Sequence, residues 1–178
     1  ELSILSVIAQ QDIFRSKLDD ISHHHRVINF NTDQYFCCSD HRMFVEKSEK
    51  SYQKGFALNS TGLIGQVFKE HLNSYELILL SDTDHKIPIY NKDFDIYCNA
   101  EGSGFERLII CKSSKDLDKE SIIGQEFYTS GFGGVFNKDM PVGKVISFTQ
   151  VEDNEYEISI EIFANPLTDE RVFLFQSA

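Results

Sequence analysis

The chain has 178 residues, a formal charge of −11 at pH 7, 15 Phe and 7 Tyr but no Trp, and only three Pro. That length suffices for a buried core in one domain or two small ones, and the acidic balance argues against nucleic acid, whose phosphates need clustered Lys and Arg. No run of about 18 apolar residues is present, so nothing in these residues reads as a membrane-spanning helix.

The opening segment, ELSILSVIAQQDIFRSKLDDIS, carries the clearest helical pattern. With Ile4 at position a of a heptad, Val7, Gln11, Phe14, Leu18 and Ile21 fall on successive d and a positions. All but Gln11 are apolar, which is a coiled-coil seam. A helix this short is marginal alone in water, so it needs a partner. Residues 1–24 are therefore read as the end of a coiled-coil helix belonging to a longer chain, in preference to a helix packed on its own domain. Ile4, Val7, Phe14, Leu18 and Ile21 are the expected self-association seam. His23, His24, His25 and Arg26 follow as a solvated helix exit, because three consecutive imidazoles cannot converge on one metal from a helix face.

From Val27 the period changes. Short apolar or alternating runs recur between Gly, Asn, Asp and Ser: RMFVE (42–46), GLIGQVFKE (62–70), YELILL (75–80), KIPIY (86–90), FERLIIC (105–111), GKVISF (143–148), YEISIEIFA (156–164) and RVFLF (171–175). About a dozen strands at this spacing, rich in aromatic and β-branched residues, predict a mainly β fold. They exceed one small barrel, so two are expected, with SDTDHK (81–86) as the passage between them. Cys37 and Cys38 are adjacent, and there is no C-x-x-C metal or redox motif. Cys98 and Cys111 flank a turn-like segment and pair if the compartment oxidises. The alternative for at least two of the four is a small buried hydrophobe.

The stretch YTSGFGGVFNKDMPVGKV (128–145) invites a chemical reading and fails several. It has no Gly-Lys-Ser/Thr and no following helix to hold phosphate, and Phe136 stands where a dinucleotide fingerprint needs its third glycine. Two small β-barrels are the architecture of trypsin-like hydrolases, which keeps a divergent hydrolase as the alternative function. Yet Ser130 lies in Thr-Ser-Gly-Phe-Gly-Gly, and neither His71 nor His85 has a general-base context. A third reading, a small-molecule barrel, needs a deep apolar pocket. Asp116, Asp118 and Glu120 form a charged turn without the calcium-loop pattern, and Asn59-Ser60-Thr61 is a formal glycosylation sequon. No catalytic, metal or cofactor residue is assigned.

The order of elements carries more than any single one. LNSTGLIGQVFKEHLNSYELILLSDTDHKIPI (58–89), followed by Thr129, Ser130, Gly131, Gly133, Gly134, Phe136, Pro141, Val142, Gly143 and Val145 in register, resembles the rod-shape-determining MreC family. The likeness covers residues 42–178 well and 1–41 only by position. Asn137 and Asp139 depart from the family's usual Pro and Gly, and EKSEKSYQKGFAL (46–58) lacks its glycines. The resemblance implies two small β-barrel subdomains behind a short coiled-coil helix: a first barrel of 27–84, completed by 155–178 returning with YEISIEIFA, and a second of 85–154. It implies a non-catalytic scaffold of cell-wall elongation without cofactors, held in the inner membrane by a helix outside this segment, with the barrels in the periplasm. The implied partners are a class B penicillin-binding transpeptidase, MreD, RodZ, indirectly the MreB filament, and further copies of itself. Within the glycine motif, Gly131, Phe132, Gly133, Gly134, Val135, Phe136, Pro141 and Gly143 form a possible interface loop. Val135 and Phe136 are read either as exposed contact residues or as buried plugs.

Overall fold

The computed structural model describes residues 23–36, 38 and 40–176. The coiled-coil seam, Ile4 to Ile21, lies outside them. Twelve strands alternate with two short helices: β1 (His24–Phe30), α1 (Thr32–Phe36), β2 (Arg42–Glu46), β3 (Phe56–Asn59), β4 (Gly62–Glu70), β5 (Ser74–Leu79), β6 (Lys86–Asn91), β7 (Ile96–Gly102), β8 (Leu108–Ser113), α2 (Lys119–Ile122), β9 (Glu126–Thr129), β10 (Pro141–Glu152), β11 (Glu155–Ile162) and β12 (Arg171–Phe175). They close into two six-stranded antiparallel barrels, ordered β1-β12-β3-β4-β5-β2 and β10-β11-β8-β7-β6-β9. Closure removes the unpaired sheet edges through which β proteins aggregate.

Period-2 patterning builds each barrel wall. In β11 the apolar Tyr156, Ile158, Ile160 and Ile162 are buried while polar residues alternate between them, so one face fills the barrel and the other meets water. In β2, Met43 and Val45 point inward on the same rule. The helices are local devices. Asp118 caps α2 by accepting from Ser121 N at 3.2 Å, and α1 buries Tyr35 against the rings of Phe30 and His41.

Two expectations are corrected. YEISIEIFA does not return to the first barrel. β10 and β11 form a long hairpin around Asp153 and Asn154, the latter at φ 61°, and β11 also pairs β8. A tight two-residue turn fixes that pairing locally. Only β12 returns, between β1 and β3. Its lead-in is clasped to the first barrel: Asn59 Nδ2 donates to Asn165 O at 2.8 Å, Asn165 N to Thr61 Oγ1 at 2.7 Å and Ser60 N to an Asp169 carboxylate oxygen at 2.7 Å. The sequon Asn59 is buried in that clasp. Second, His24 and His25 are not a helix exit. They start β1, and buried His25 bonds Glu46 O through Nδ1 at 2.9 Å. Cys98 and Cys111 pair as their placement about a turn allowed, in a disulfide with Cα atoms 6.0 Å apart, and Cys38 is disulfide-bonded as well. Among the described residues no cysteine is free, and no helix is long and apolar enough to cross a membrane.

Candidate functional site

The glycine motif is the link between the barrels. β9 ends at Thr129, which zips the base of the loop: its N donates to Met140 O at 2.9 Å, its O accepts from Asp139 N at 2.9 Å, and its Oγ1 donates to Asn137 O at 2.5 Å while accepting from Met140 N at 2.9 Å. Gly131, Gly133 and Gly134 have φ of 82°, 81° and 71°, the left-handed region that side chains resist. The chain thereby reverses twice within a few residues and drives Phe136 into the neighbouring barrel. Phe136 is 4% exposed, with its ring 6.1 Å from Phe56 of β3 and 6.0 Å from His85. Of the expected interface loop, then, Phe136 is a plug, Val135 packs half-buried against the core, and Phe132 stands out at 65% exposure beside the exposed Gly133 and Gly134.

The connector between β5 and β6 is gripped from both sides. From the first barrel, His41 N donates to Asp82 Oδ2 at 2.8 Å, His41 Nδ1 bonds Ser81 Oγ at 2.6 Å, and Arg42 Nε donates to Asp82 Oδ2 at 2.9 Å. From the second, Gly102 N donates to His85 O and Gly104 N to Ser81 O. A Cβ on Gly102 would lie 1.9 Å from Asp82 O, so only glycine permits this approach. Arg42 extends the network to Glu76 at 2.8 Å, and His71 Nε2 meets the same carboxylate at 2.8 Å. Burial alone would raise the Glu76 carboxyl, but the hydrogen bonds from His71 and Arg42 hold it below its ordinary range.

Three buried imidazoles share one design. His25 Nδ1 bonds Glu46 O, His41 Nδ1 bonds Ser81 Oγ, and His85 Nε2 bonds Gln66 Oε1 at 2.8 Å, while the other ring nitrogen of each is buried without a partner. A bare lone pair is tolerable there, whereas an added proton would be a buried charge without an acceptor. Burial accordingly lowers all three, His85 to about 4.

Ser81, His41 and Asp82 superficially form a nucleophile, base and carboxylate. The geometry does not support hydrolysis. All three are buried, Asp82 grips the His41 backbone rather than its ring, and the cavity beside Ser81, about 10 Å³, has room for about one water and for no substrate. Asp40, Asp82 and Asp84 bring carboxylate oxygens within 4.8 Å of one another, but the Arg42 guanidinium fills the cation's role, 2.9 Å from Asp82 and 3.6 Å from Asp84. Neither His71 nor His85 has a hydroxyl partner. His71 serves Glu76 and His85 serves Gln66.

The surface carries the remaining features. A groove of about 540 Å³ is lined by Arg26, Val27, Ile28, Phe30, Pro166 and Leu167, with Ile28 and Leu167 exposed. At the β4–β5 hairpin tip Leu72 is 90% exposed. Isolated exposed apolar residues are ordinary, whereas grouped ones in a concave rim mark docking surface. Sequence reading missed this groove and the His41–Ser81–Asp82–Arg42 junction, whose members lie about forty positions apart in the chain.

A pair of closed barrels joined at a buried polar junction defines a double-barrel structural module. Residues 42–176 match the family described as rod shape-determining protein MreC, barrel core, and the chain belongs to that family. It is 30% identical over 122 residues to the cell shape-determining protein MreC of Haemophilus influenzae, covering 68% of this chain and 33% of that protein, so it spans about a third of that relative's length. In fold it is similar to MreC from Pseudomonas aeruginosa, with a TM-score of 0.71 at 20% identity, covering 85% of this chain and 97% of that one. It is also similar in fold to a chain from the complex between penicillin-binding protein PBP2 and MreC from Helicobacter pylori. That TM-score is 0.60 at 12% identity, with 85% and 94% covered.

Proposed function

We propose that the chain is the extracytoplasmic assembly module of a membrane-anchored scaffold that maintains rod shape by holding the cell-wall elongation machinery together. Its double barrel docks a class B penicillin-binding transpeptidase, while MreD and RodZ associate with the whole protein and link it to the MreB filament. Copies self-associate through the seam of Ile4, Val7, Phe14, Leu18 and Ile21. The observation that carries this reading is the family match over residues 42–176, beside a relative of this fold solved together with a penicillin-binding protein. The two disulfides fit an oxidising, extracytoplasmic location.

Replacing the corresponding segment of the Haemophilus influenzae relative with residues 42–176 tests it in cells. Retained rod shape is expected, and rounded cells with normal amounts of the hybrid would count against the reading. Self-association is tested separately by sedimentation velocity. Phe14→Ser with Leu18→Ser should shift the chain toward monomer without altering its β circular dichroism, and an unchanged profile would remove the seam from the account.

A further inference from the structure

Two of the buried imidazoles stand at the seam where the barrels meet. His85 immediately precedes β6 of the second barrel, yet its Nε2 bonds Gln66 Oε1 of β4 in the first at 2.8 Å. Its ring lies 6.0 Å from Phe136, the plug that the second barrel sends across. His41 precedes β2, bonds Ser81 Oγ of the connector at 2.6 Å and packs on Tyr35 of α1, 5.0 Å away. Both histidines are buried, and His85 Nδ1 and His41 Nε2 find no acceptor among the described residues.

The charged groups around them do not supply one. Burial disfavours a proton on either ring, and at His85 the Arg42 guanidinium, reaching the connector from β2, adds to that. The Asp82 charge draws a proton toward both rings, and Asp40 draws one toward His41, but burial outweighs them. Asp82 is also fully engaged: Oδ2 accepts from His41 N and Arg42 Nε, and Oδ1 accepts from Asp84 N at 2.8 Å. Asp84 and Glu76 are themselves paired with Arg42. β4 offers His85 only the neutral Gln66. The second barrel offers Phe136 and, from β7, the Gly102 backbone, whose N already donates to His85 O.

An imidazolium at either position is therefore a buried cation with a bare N–H. The seam is where that strain is most easily relieved. Each barrel is closed by backbone ladders through six strands. The barrels meet through the plug, the gripped connector, the packing of β4 on β10 and a backbone bond from Cys38 N to Gly104 O at 3.2 Å. Partial openings follow the least cooperative boundary of a fold. We propose that protonation of His85, joined by His41, opens this seam, so that the barrels form one body at neutral pH and two hinged bodies in acid. The closed form holds His85 near 4 while an exposed imidazole titrates near 6.5, so falling pH favours the open form. Through His85 alone the open-to-closed ratio should rise about 20-fold between pH 7 and 5.

The test is native-state hydrogen exchange of the 178-residue chain from pH 7 to 5, expressed as protection factors so that the intrinsic pH dependence drops out. The amides of Cys38, His41 and Gly104 bond across the seam or to the connector, on Gly104 O, Asp82 Oδ2 and Ser81 O. They should be less protected than Ile158 and Ile160 in the β11 ladder, and their protection should fall about 20-fold over that range with the β circular dichroism unchanged. His85→Gln should reduce the fall to a few-fold. Gln66→Glu, which gives the imidazolium a carboxylate, should do the same and serves if the first variant does not fold. Seam amides as strongly protected as the β11 amides at every pH would overturn the proposal, because no separate opening would exist. So would seam protection that ignores pH, or a 20-fold fall that persists in both variants. The experiment involves no partner, so its failure leaves the scaffold reading standing.

Discussion

Phe136 shows how a single side chain sets the geometry of the molecule. The sequence left it open as tip or plug, since a glycine-rich loop is compatible with both. Only the positions of Phe56 and His85 in the other barrel decide it. Phe136→Ala should cost about 3–5 kcal/mol in urea unfolding, the range for emptying an aromatic core site, while Phe132→Ala should change stability little. The histidines make a pH prediction. His85 keeps a folded pKa near 4 against the ordinary 6.5, so between those values the unfolded chain binds a proton that the folded chain refuses. Stability therefore stands in full above about pH 6.5 and falls as pH drops toward 4. The loss from His85 is on the order of 3 kcal/mol, and His25 and His41, shifted the same way, add to it. Urea midpoints from pH 7 to 4.5 check this. His85→Gln should flatten the slope, and equal slopes would contradict the assignment.

At the scale of elements, β2, β4, β6 and β12 were legible because alternation or apolar runs between turn residues state a strand directly. β1 was not, because its polar histidines read as solvent-facing while His25 in fact satisfies itself on Glu46 O. β11 was legible as a strand but not as a member of its barrel. Alternation says which face is buried, not which neighbour pairs with it. The β7–β8 pairing carries a third prediction. The ladder there joins only Glu101 with Ile110 and Gly102 with Ile109, so the disulfide between Cys98 and Cys111 holds the rest of the seam. Replacing both cysteines by serine should cost about 3 kcal/mol, the loop-closure value for a crosslink of this span. Hydrogen exchange should quicken first along β7 and β8, whereas uniform acceleration over both barrels would argue that the bond does not serve this seam.

For the whole molecule, the junction and the Phe136 plug tie the two barrels to each other, so the docking proposed above would present them as one body. The polar cluster at the connector was invisible in the sequence because His41 and Arg42 lie far from Ser81 and Asp82, and no local pattern brings them together. Gly102→Ala should disturb that junction, since its Cβ would overlap the Asp82 carbonyl. Small-angle scattering should then show a wider spread of barrel orientations, and an unchanged curve would show that the connector yields without cost. The most direct measurement is a calorimetric titration of this chain into the ectodomain of the cognate class B penicillin-binding transpeptidase. A saturable isotherm at micromolar affinity or tighter, unchanged by Ser81→Ala, is predicted. Absence of heat and of complex at about 100 μM of both proteins would contradict the account.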